Sequence, residues 1–284
     1  MQTDSFIKLQ ESGEMIMDIT KYYAIPGEEP LDNIKYDGGF FRIFRTVACI
    51  GDSLSSGEME GLDENGRQSY HDMFEYSWGQ CMARAAGNTV YNFSRGGMTA
   101  SEYVNSFAEA MGYFDPAKAA QAYIIALGVN DILNAHFPMG TADDVDPDHP
   151  ENNPHTFTGD LGRLISRYKA ISPKGRFFLM TMVKTDVWNH TTDAVIEEAA
   201  SLLYGIAEKY EFTYVLDFAR YAPRHTKEFE KYFYLGGHLN AAGYQLTAWQ
   251  VMTYIDWIIR QHPEDFTQIA FVGKGGIHNT GYKW

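Results

Sequence analysis

The sequence has little cysteine: only Cys49 and Cys81 occur in a chain of 284 residues. They fall on a predicted central strand and a predicted helix, and they do not make the framework of a small disulfide-stabilised domain. A disulfide scaffold is therefore excluded, and a reduced compartment fits the composition better than an oxidising one.

Positive charge is also scarce, since 23 lysines and arginines face 37 aspartates and glutamates and leave a net charge of −14. A chain of this charge repels a phosphate backbone, so we expect no nucleic-acid partner. The chain does not open on a basic segment followed by an apolar run, and no apolar stretch approaches the length of a membrane span. We therefore expect no membrane partner and, unless a leader has been removed, a cytoplasmic protein.

The chain does contain an ordinary globular mixture, with 45% hydrophobic and 21% charged residues. Short apolar runs predict buried strands at residues 47–50, 90–93, 123–127, 177–183 and 214–218. Apolar residues at helical spacing predict helices between and after them, near residues 73–86, 99–111, 157–168, 195–206 and 240–258. Strands alternating with helices predict an α/β fold of three layers, α/β/α, with a five-stranded parallel sheet covered on both faces.

We divide the chain into an N-terminal extension packed on the core, a main domain and a C-terminal tail, at residues 1–45, 46–260 and 261–284. The extension is expected to contribute a strand at residues 40–44. A polar loop is expected at residues 57–69, where it could form a rim beside the first strand. Residues 141–151 are expected to form an acidic inserted loop.

Polar or glycine-rich turns follow three of the predicted strands. Ser53 follows the first strand, Gly97 the second and Asn130 the third, while His238 comes just before the last helix. Because the carboxyl ends of parallel strands meet at one edge of a sheet, we expect these side chains to converge there.

These residue types suit acyl transfer. Ser53 can act as the nucleophile, and His238 can take its proton and return it to the leaving group. The backbone N–H groups of Ser53 and Gly97, with the side-chain amide of Asn130, can hold the developing oxyanion. The sequence therefore predicts Ser53 and His238 as catalytic residues and Ser53, Gly97 and Asn130 as the oxyanion hole.

Four segments in this order resemble the SGNH (GDSL-type) hydrolase family, over roughly residues 46–260. They are GDSL at residues 51–54, the glycine turn at Gly97, GVND at residues 128–131 and HLNAAGY at residues 238–244. The resemblance implies a flavodoxin-like sheet and hydrolysis of esters, thioesters or acylated sugars. It also implies the roles just given for Ser53, Gly97, Asn130 and His238.

One position departs from the family pattern, because Leu235 stands three residues before His238, where the family usually has aspartate. In a catalytic triad that carboxylate fixes the imidazole tautomer and stabilises the imidazolium. Three explanations are open: a backbone carbonyl takes its place in a Ser–His dyad, another carboxylate substitutes, or the protein is slow or inactive. Candidate substitutes are Asp217, Glu228 and Glu230, and we favour the dyad because none of them has motif support.

Each candidate residue also has a purely structural interpretation. Ser53 could be a turn or helix-cap serine, and Asn130 could cap a helix. Gly97 could serve only its turn, and His238 could be a packed histidine.

The acidic loop superficially resembles a calcium site, because Asp144, Asp146 and Asp148 alternate. The glycine and the terminal glutamate of a calcium-binding loop are missing, so we interpret it as a solvated loop. The remaining histidines lack ligand spacing. We therefore predict no metal and no cofactor.

The leading hypothesis is a serine esterase that cleaves an ester of a small or carbohydrate-linked acyl group through an acyl-enzyme. A catalytically weak acyl- or carbohydrate-binding protein of the same fold is the alternative that Leu235 favours, and an acyltransferase using Ser53 is another. The acidic composition and the lack of an apolar lid helix favour a polar partner such as an acetylated sugar. The sequence does not indicate the oligomeric state.

Overall fold

The structure is a computed structural model, and it describes residues 7–9, 15–17 and 19–272. Strands and helices are numbered here in chain order. The strands are β1 Ile7–Leu9, β2 Met15–Met17, β3 Thr46–Gly51, β4 Glu58–Leu62, β5 Gln68–Asp72, β6 Thr89–Asn92, β7 Ala122–Ala126, β8 Arg176–Met180, β9 Thr213–Leu216, β10 Tyr234–Leu235 and β11 His238–Leu239.

Five of these strands form one parallel sheet in the order β6-β3-β7-β8-β9. If only these five strands are counted, in chain order, the order is 2-1-3-4-5, which is the arrangement of flavodoxin-like doubly wound folds. The predicted five-stranded parallel sheet is confirmed. The remaining strands pair as three antiparallel hairpins, β1–β2, β4–β5 and β10–β11.

Both faces of the sheet are buried, as the unbroken apolar runs predict. In β3, Val47 and Cys49 belong to one hydrophobic cluster, while Ala48 and Ile50 belong to the cluster on the opposite face. This division follows from the alternation of side chains along a strand. A strand between two hydrophobic layers has to be apolar at every position.

Helices supply the two outer layers. The α-helices are α1 Ser53–Ser56, α2 Trp78–Ala86, α3 Ala100–Glu102, α4 Ala108–Ala110, α5 Phe157–Ile171, α6 Asp193–Ala207, α7 Phe218–Tyr221, α8 Lys227–Phe233 and α9 Ala241–Gln261. Residues of α2 and α9 pack in the cluster with Val47, whereas residues of α3, α5 and α6 pack in the cluster with Ile50. The predicted three-layer α/β/α fold is thereby confirmed.

Shorter helical segments connect these elements. The 3-10 helices are Ile19–Tyr22, Gly39–Ile43, Phe74–Tyr76, Pro116–Lys118, Ala142–Asp144, Pro150–Asn152, Pro263–Phe266 and Ile269–Phe271, and the π-helical segments are Tyr103–Phe107 and Val129–Asn134. Of the predicted C-terminal tail, residues 273–284 lie outside the described part. Within the described residues, no helix has the length and apolarity that crossing a bilayer requires.

The strand predicted at residues 40–44 is wrong, because these residues form the 3-10 helix Gly39–Ile43. Gly38 and Gly39 adopt positive φ angles of 93° and 48°, which turn the chain, and the N–H of Phe40 donates to Asp256 instead of a sheet. Phe41 is nevertheless fully buried beside residues of α9.

The polar loop predicted at residues 57–69 is also wrong, since most of it is the hairpin β4–β5. Its turn is stabilised by the carboxylate of Asp63, which accepts from the N–H groups of Asn65 and Arg67. Gly66 has φ 74° in this turn. The Asn65–Gly66 pair is a known hairpin signal, and it could have predicted this element.

Candidate active site

Ser53 is the first residue of α1, directly after the carboxyl end of β3. Asp52 caps this helix, because its side chain accepts from the N–H of Leu54 at 3.0 Å. A first-turn N–H such as that of Ser53 has no acceptor within its own helix. It is therefore available to a bound group. The preceding turn needs glycine at position 51, because an added Cβ would collide with the Ser55 hydroxyl.

Gly97 lies in the turn after β6, closed by a hydrogen bond from the N–H of Met98 to the carbonyl of Arg95. Its φ of +70° suits the third position of a type II turn, which favours glycine. An added Cβ on Gly97 would meet no atom within 4 Å, so its Cα faces open space. A small ligand can approach the backbone there.

Asn130 connects the turn after β3 with the turn after β6. It lies in the π-helical segment after β7, and its Nδ2 is 3.2 Å from the carbonyl of Met98 and 3.4 Å from the carboxylate of Asp52. The amide of Asn134 donates to its Oδ1 at 2.7 Å. The structure thus brings Ser53, Gly97 and Asn130 to the same edge of the sheet.

His238 is held by a carboxylate that the sequence analysis did not identify, Glu60 of β4. The Nδ1 atom of His238 lies 2.7 Å from Glu60 Oε1, and the N–H of Gly237 donates to the same oxygen at 2.8 Å. The side chain of Gln68 donates to its other oxygen. Burial would raise the pKa of Glu60, but these hydrogen bonds outweigh it and lower the pKa.

The position of the Glu60 carboxylate explains why two glycines precede His238. An added Cβ on Gly236 would collide with the carboxylate of Glu60, and Gly236 also has a φ of 67°. An added Cβ on Gly237 would lie 2.9 Å from Glu60 Oε1. Two glycines therefore let the β10–β11 turn close around this carboxylate.

The structure thus has a carboxylate where the dyad hypothesis expected a backbone carbonyl. The three proposed substitutes are engaged elsewhere: Asp217 caps α7 and accepts from Tyr204, and Glu228 and Glu230 pair with lysines of α8. Glu60 was missed because the pair is separated by 178 positions and lies in a segment interpreted as a loop. Acidic residues at positions 58 and 60, on one face of a strand, were the available signal.

Ser53 and His238 lie on contacting elements, α1 and β11, but among the described residues no hydrogen bond joins their side chains. Instead, His238 Nε2 lies 3.3 Å from Glu58 Oε1. Tyr244 connects the two halves of the site, since its hydroxyl donates to the carbonyl of Glu58 and lies 3.4 Å from the carbonyl of Ser53. Catalytic hydrogen bonds are often long in free enzymes and shorten when substrate binds.

Two buried aspartates lie under this edge. Burial raises the pKa of both Asp52 and Asp131 to about 7, against hydrogen bonds from the N–H of Leu54 and of Ala100. Within the described part of the chain, Asp131 Oδ2 has no hydrogen-bond partner. These carboxyl groups support the turns that carry Ser53 and Asn130.

An apolar cavity of about 70 Å³ lies behind α1. Leu54, Trp78, Met180 and Leu239 are among the residues that line it, whereas Ser53 and His238 are not. The cavity thus lies next to the catalytic candidates, since Asp52 and Leu54 flank Ser53 and Leu239 follows His238, but neither candidate lines it.

In the described ranges, one group of side chains has ligand atoms close enough to share a metal ion: His262, Glu264 and Asp265, within 4.8 Å of one another. This group follows the end of α9, the helix that begins beside His238. Tyr214, at the beginning of β9, donates to Asp265. The group is thus at the amino edge of the sheet, opposite the candidate active site.

Comparison with solved structures supports the same fold. A family two carbohydrate esterase from Clostridium thermocellum, solved with cellohexaose, has 16% identity and a TM-score of 0.51, covering 89% of this chain and 69% of its own. A possible lipase from Chitinophaga pinensis DSM 2588 has 18% identity and a TM-score of 0.53, covering 77% and 98%. At these identities the likeness shows the fold alone.

No curated protein matches the chain significantly in sequence. A family model does match, over residues 49–246, and these residues contain Ser53, Gly97, Asn130 and His238. This range covers well over half of the chain, which therefore belongs to the GDSL-like lipase/acylhydrolase family.

Proposed function

We propose that this protein is a serine ester hydrolase with a Ser53–His238–Glu60 triad. Ser53 is the nucleophile and His238 the general acid and base. Glu60 holds the N–H of Nδ1 and stabilises the imidazolium, the part that aspartate plays in serine proteases. The N–H groups of Ser53 and Gly97 bind the oxyanion, and the amide of Asn130 joins them by giving up its 3.4 Å contact with Asp52.

In the proposed reaction, the Ser53 hydroxyl attacks the ester carbonyl while His238 Nε2 takes its proton. The tetrahedral intermediate collapses when the imidazolium gives that proton to the leaving alkoxide, which leaves an acyl-serine. Water, deprotonated by the same imidazole, then attacks the acyl-serine. The acid leaves and Ser53 regains its proton.

One observation carries this proposal: the 2.7 Å contact between His238 Nδ1 and Glu60. A packed histidine needs no such partner, whereas a general base gains from a fixed tautomer and a stabilised imidazolium. The contact also removes the reason for preferring a catalytically weak binding protein, since that alternative rested on Leu235. We therefore favour hydrolysis.

We propose a polar, uncharged or cationic alcohol as the leaving group, with a sugar carrying a small acyl group as the favoured case. The acidic side chains Glu58, Glu60 and Asp72 lie at or near the imidazole, and they disfavour an anionic substrate. The structural similarity to an esterase crystallised with cellohexaose is consistent with this choice.

The nucleophile assignment is tested by Ser53→Ala with p-nitrophenyl acetate. We expect the variant to lose the burst of nitrophenol and at least ~10³-fold in kcat, because no acyl-enzyme forms. Ser106→Ala, at an exposed helical position, is the control and should keep full activity. A Ser53→Ala variant that retains most of its turnover would disprove the assignment.

A further inference from the structure

Glu58, the first residue of β4, extends across the mouth of the candidate site. Its Oε1 lies 3.3 Å from His238 Nε2, and its Oε2 is so close to Gly96 that an added Cβ there would collide with it. The side chain is 18% exposed. The carboxylate therefore spans the space between the imidazole and the glycine turn at Gly97.

This carboxylate lacks the hydrogen bonds that satisfy its neighbour. Glu60 accepts from His238, Gln68 and the N–H of Gly237. Within the described residues, the side chain of Glu58 contacts His238 Nε2, and no other N–H or O–H group donates a hydrogen bond to its carboxylate. A partly buried carboxylate in this state gains free energy from an added donor.

The position of Glu58 specifies where such a donor would lie. In ester hydrolysis, Nε2 must contact the leaving oxygen in order to give it a proton. A carboxylate oxygen 3.3 Å from the same nitrogen is then beside the leaving oxygen, within reach of a group on the adjacent carbon. Since none of the described residues supplies this donor, a hydroxyl on the alcohol part of the substrate can donate to Glu58 there.

We infer that Glu58 is a specificity-determining residue that selects esters carrying a free hydroxyl on the carbon next to the esterified carbon. This inference rests on the proposed hydrolase function. When a substrate hydroxyl binds Glu58, the carboxylate leaves Nε2, and the imidazole is released to Ser53. The contact between Glu58 and Nε2 also accounts for the lack of a hydrogen bond between the side chains of Ser53 and His238 among the described residues.

The test compares two esters with the same ring and stereochemistry, trans-2-hydroxycyclohexyl acetate and trans-2-methoxycyclohexyl acetate. The second keeps the oxygen but lacks the donor. We expect the wild-type protein to prefer the hydroxy ester by roughly 10- to 100-fold in kcat/KM, since a hydrogen bond to a charged acceptor gives discrimination of that order.

The variants are Glu58→Leu, which removes the acceptor, and Glu58→Gln, which keeps one acceptor oxygen and the shape. Glu58→Leu should reduce the preference to about threefold or less, and Glu58→Gln should give an intermediate ratio. Glu64→Gln, at the exposed tip of the same hairpin, is the matched control and should keep the wild-type preference. If Glu58→Leu does not fold, as judged by circular dichroism, the Glu58→Gln ratio decides.

The outcomes separate this inference from the function on which it rests. Ser53-dependent hydrolysis of both esters without a preference, or a preference that survives in both Glu58 variants, overturns the role of Glu58 alone. If neither ester nor p-nitrophenyl acetate is hydrolysed in a Ser53-dependent way, the proposed function fails and the specificity role with it.

Discussion

Glu60 shows how much a single residue can change the interpretation of a site. Leu235 occupies the usual aspartate position, and in the structure its side chain is 48% exposed. The carboxylate comes instead from Glu60 of β4, and its Oε1 lies 2.7 Å from Nδ1 of His238. What the chemistry requires is an acceptor at Nδ1, and its position in the sequence is free to vary.

Replacing Glu60 tests this residue directly. Glu60→Gln keeps the shape and an acceptor for Gly237 but removes the charge that stabilises the imidazolium. We expect kcat for p-nitrophenyl acetate to fall by roughly 10²- to 10⁴-fold with little change in KM.

Glu64→Gln serves as the control for Glu60→Gln, because it makes the same chemical change on the same hairpin. Its kinetics should match those of the wild-type protein. Full activity in Glu60→Gln would instead favour the dyad hypothesis.

Single residues also mark the limit of prediction from this sequence. Ser53, Gly97 and Asn130 could be placed together because each follows a buried strand, and the ends of parallel strands meet. Glu60 follows no such rule, since its approach to His238 depends on how a hairpin folds over the sheet edge. A single sequence has no local pattern that predicts this long-range contact.

Among the secondary-structure elements, α9 connects stability to the site. Its 21 residues begin right after the strand that carries His238, and most of its middle is buried. Asn240 caps it: Oδ1 accepts from the N–H groups of Ala242 and Gly243, both at 3.0 Å. Its Nδ2 donates to the carbonyl of Tyr232 at 2.8 Å. One side chain thus fixes the start of the helix to α8.

Asn240→Ala should therefore lower the free energy of unfolding by about 1–2 kcal/mol, the usual cost of losing an N-cap. Urea unfolding followed by circular dichroism measures it. Asn105→Ala, at an exposed helical position, should stay within about 0.5 kcal/mol of the wild-type protein. Equal stability of the two variants would show that the cap contributes nothing.

Regular elements were predictable where a local pattern dictates them. The strand β7 was expected at residues 123–127 and is found at Ala122–Ala126, because its apolar run has to be buried on both faces. The hairpin β4–β5 was missed because its strands are polar, with Glu58 and Glu60 turned toward the site. Polar strands over an active site lack the hydrophobic pattern on which such predictions depend.

At the scale of the whole molecule, the buried aspartates should make stability depend on pH. Burial raises the pKa of Asp131 from 3.8 to about 7, so between these values the folded state binds more protons than the unfolded state. The free energy of unfolding contributed by this group therefore falls as the pH rises through that window. Burial lowers the pKa of His225 to about 4, which gives the opposite slope between pH 4 and 6.5.

Comparison with Asp131→Asn measures the contribution of Asp131 together with its coupling to Asp52, whose pKa it helps to raise, while His225 is present in both proteins and cancels. The variant keeps an acceptor for the N–H of Ala100 but carries no charge. The difference in free energy of unfolding between the variant and the wild-type protein should rise, in favour of the variant, by on the order of 2 kcal/mol from pH 5 to pH 8. Urea titrations at both values measure this, and a difference that does not change with pH would contradict it.

The hairpin β4–β5 has a consequence for how the proposed site can be altered. It carries Glu60 behind the imidazole and Glu58 in front of it, with the ring of Tyr70 edge-on at 5.9 Å. Asp63 closes the turn through hydrogen bonds within the hairpin, and β4–β5 is a sheet of its own, so residues 58–72 can be varied as one segment without changing the strands of the central sheet. If Glu58 and Glu60 act as proposed, libraries confined to this segment should shift turnover and substrate choice together.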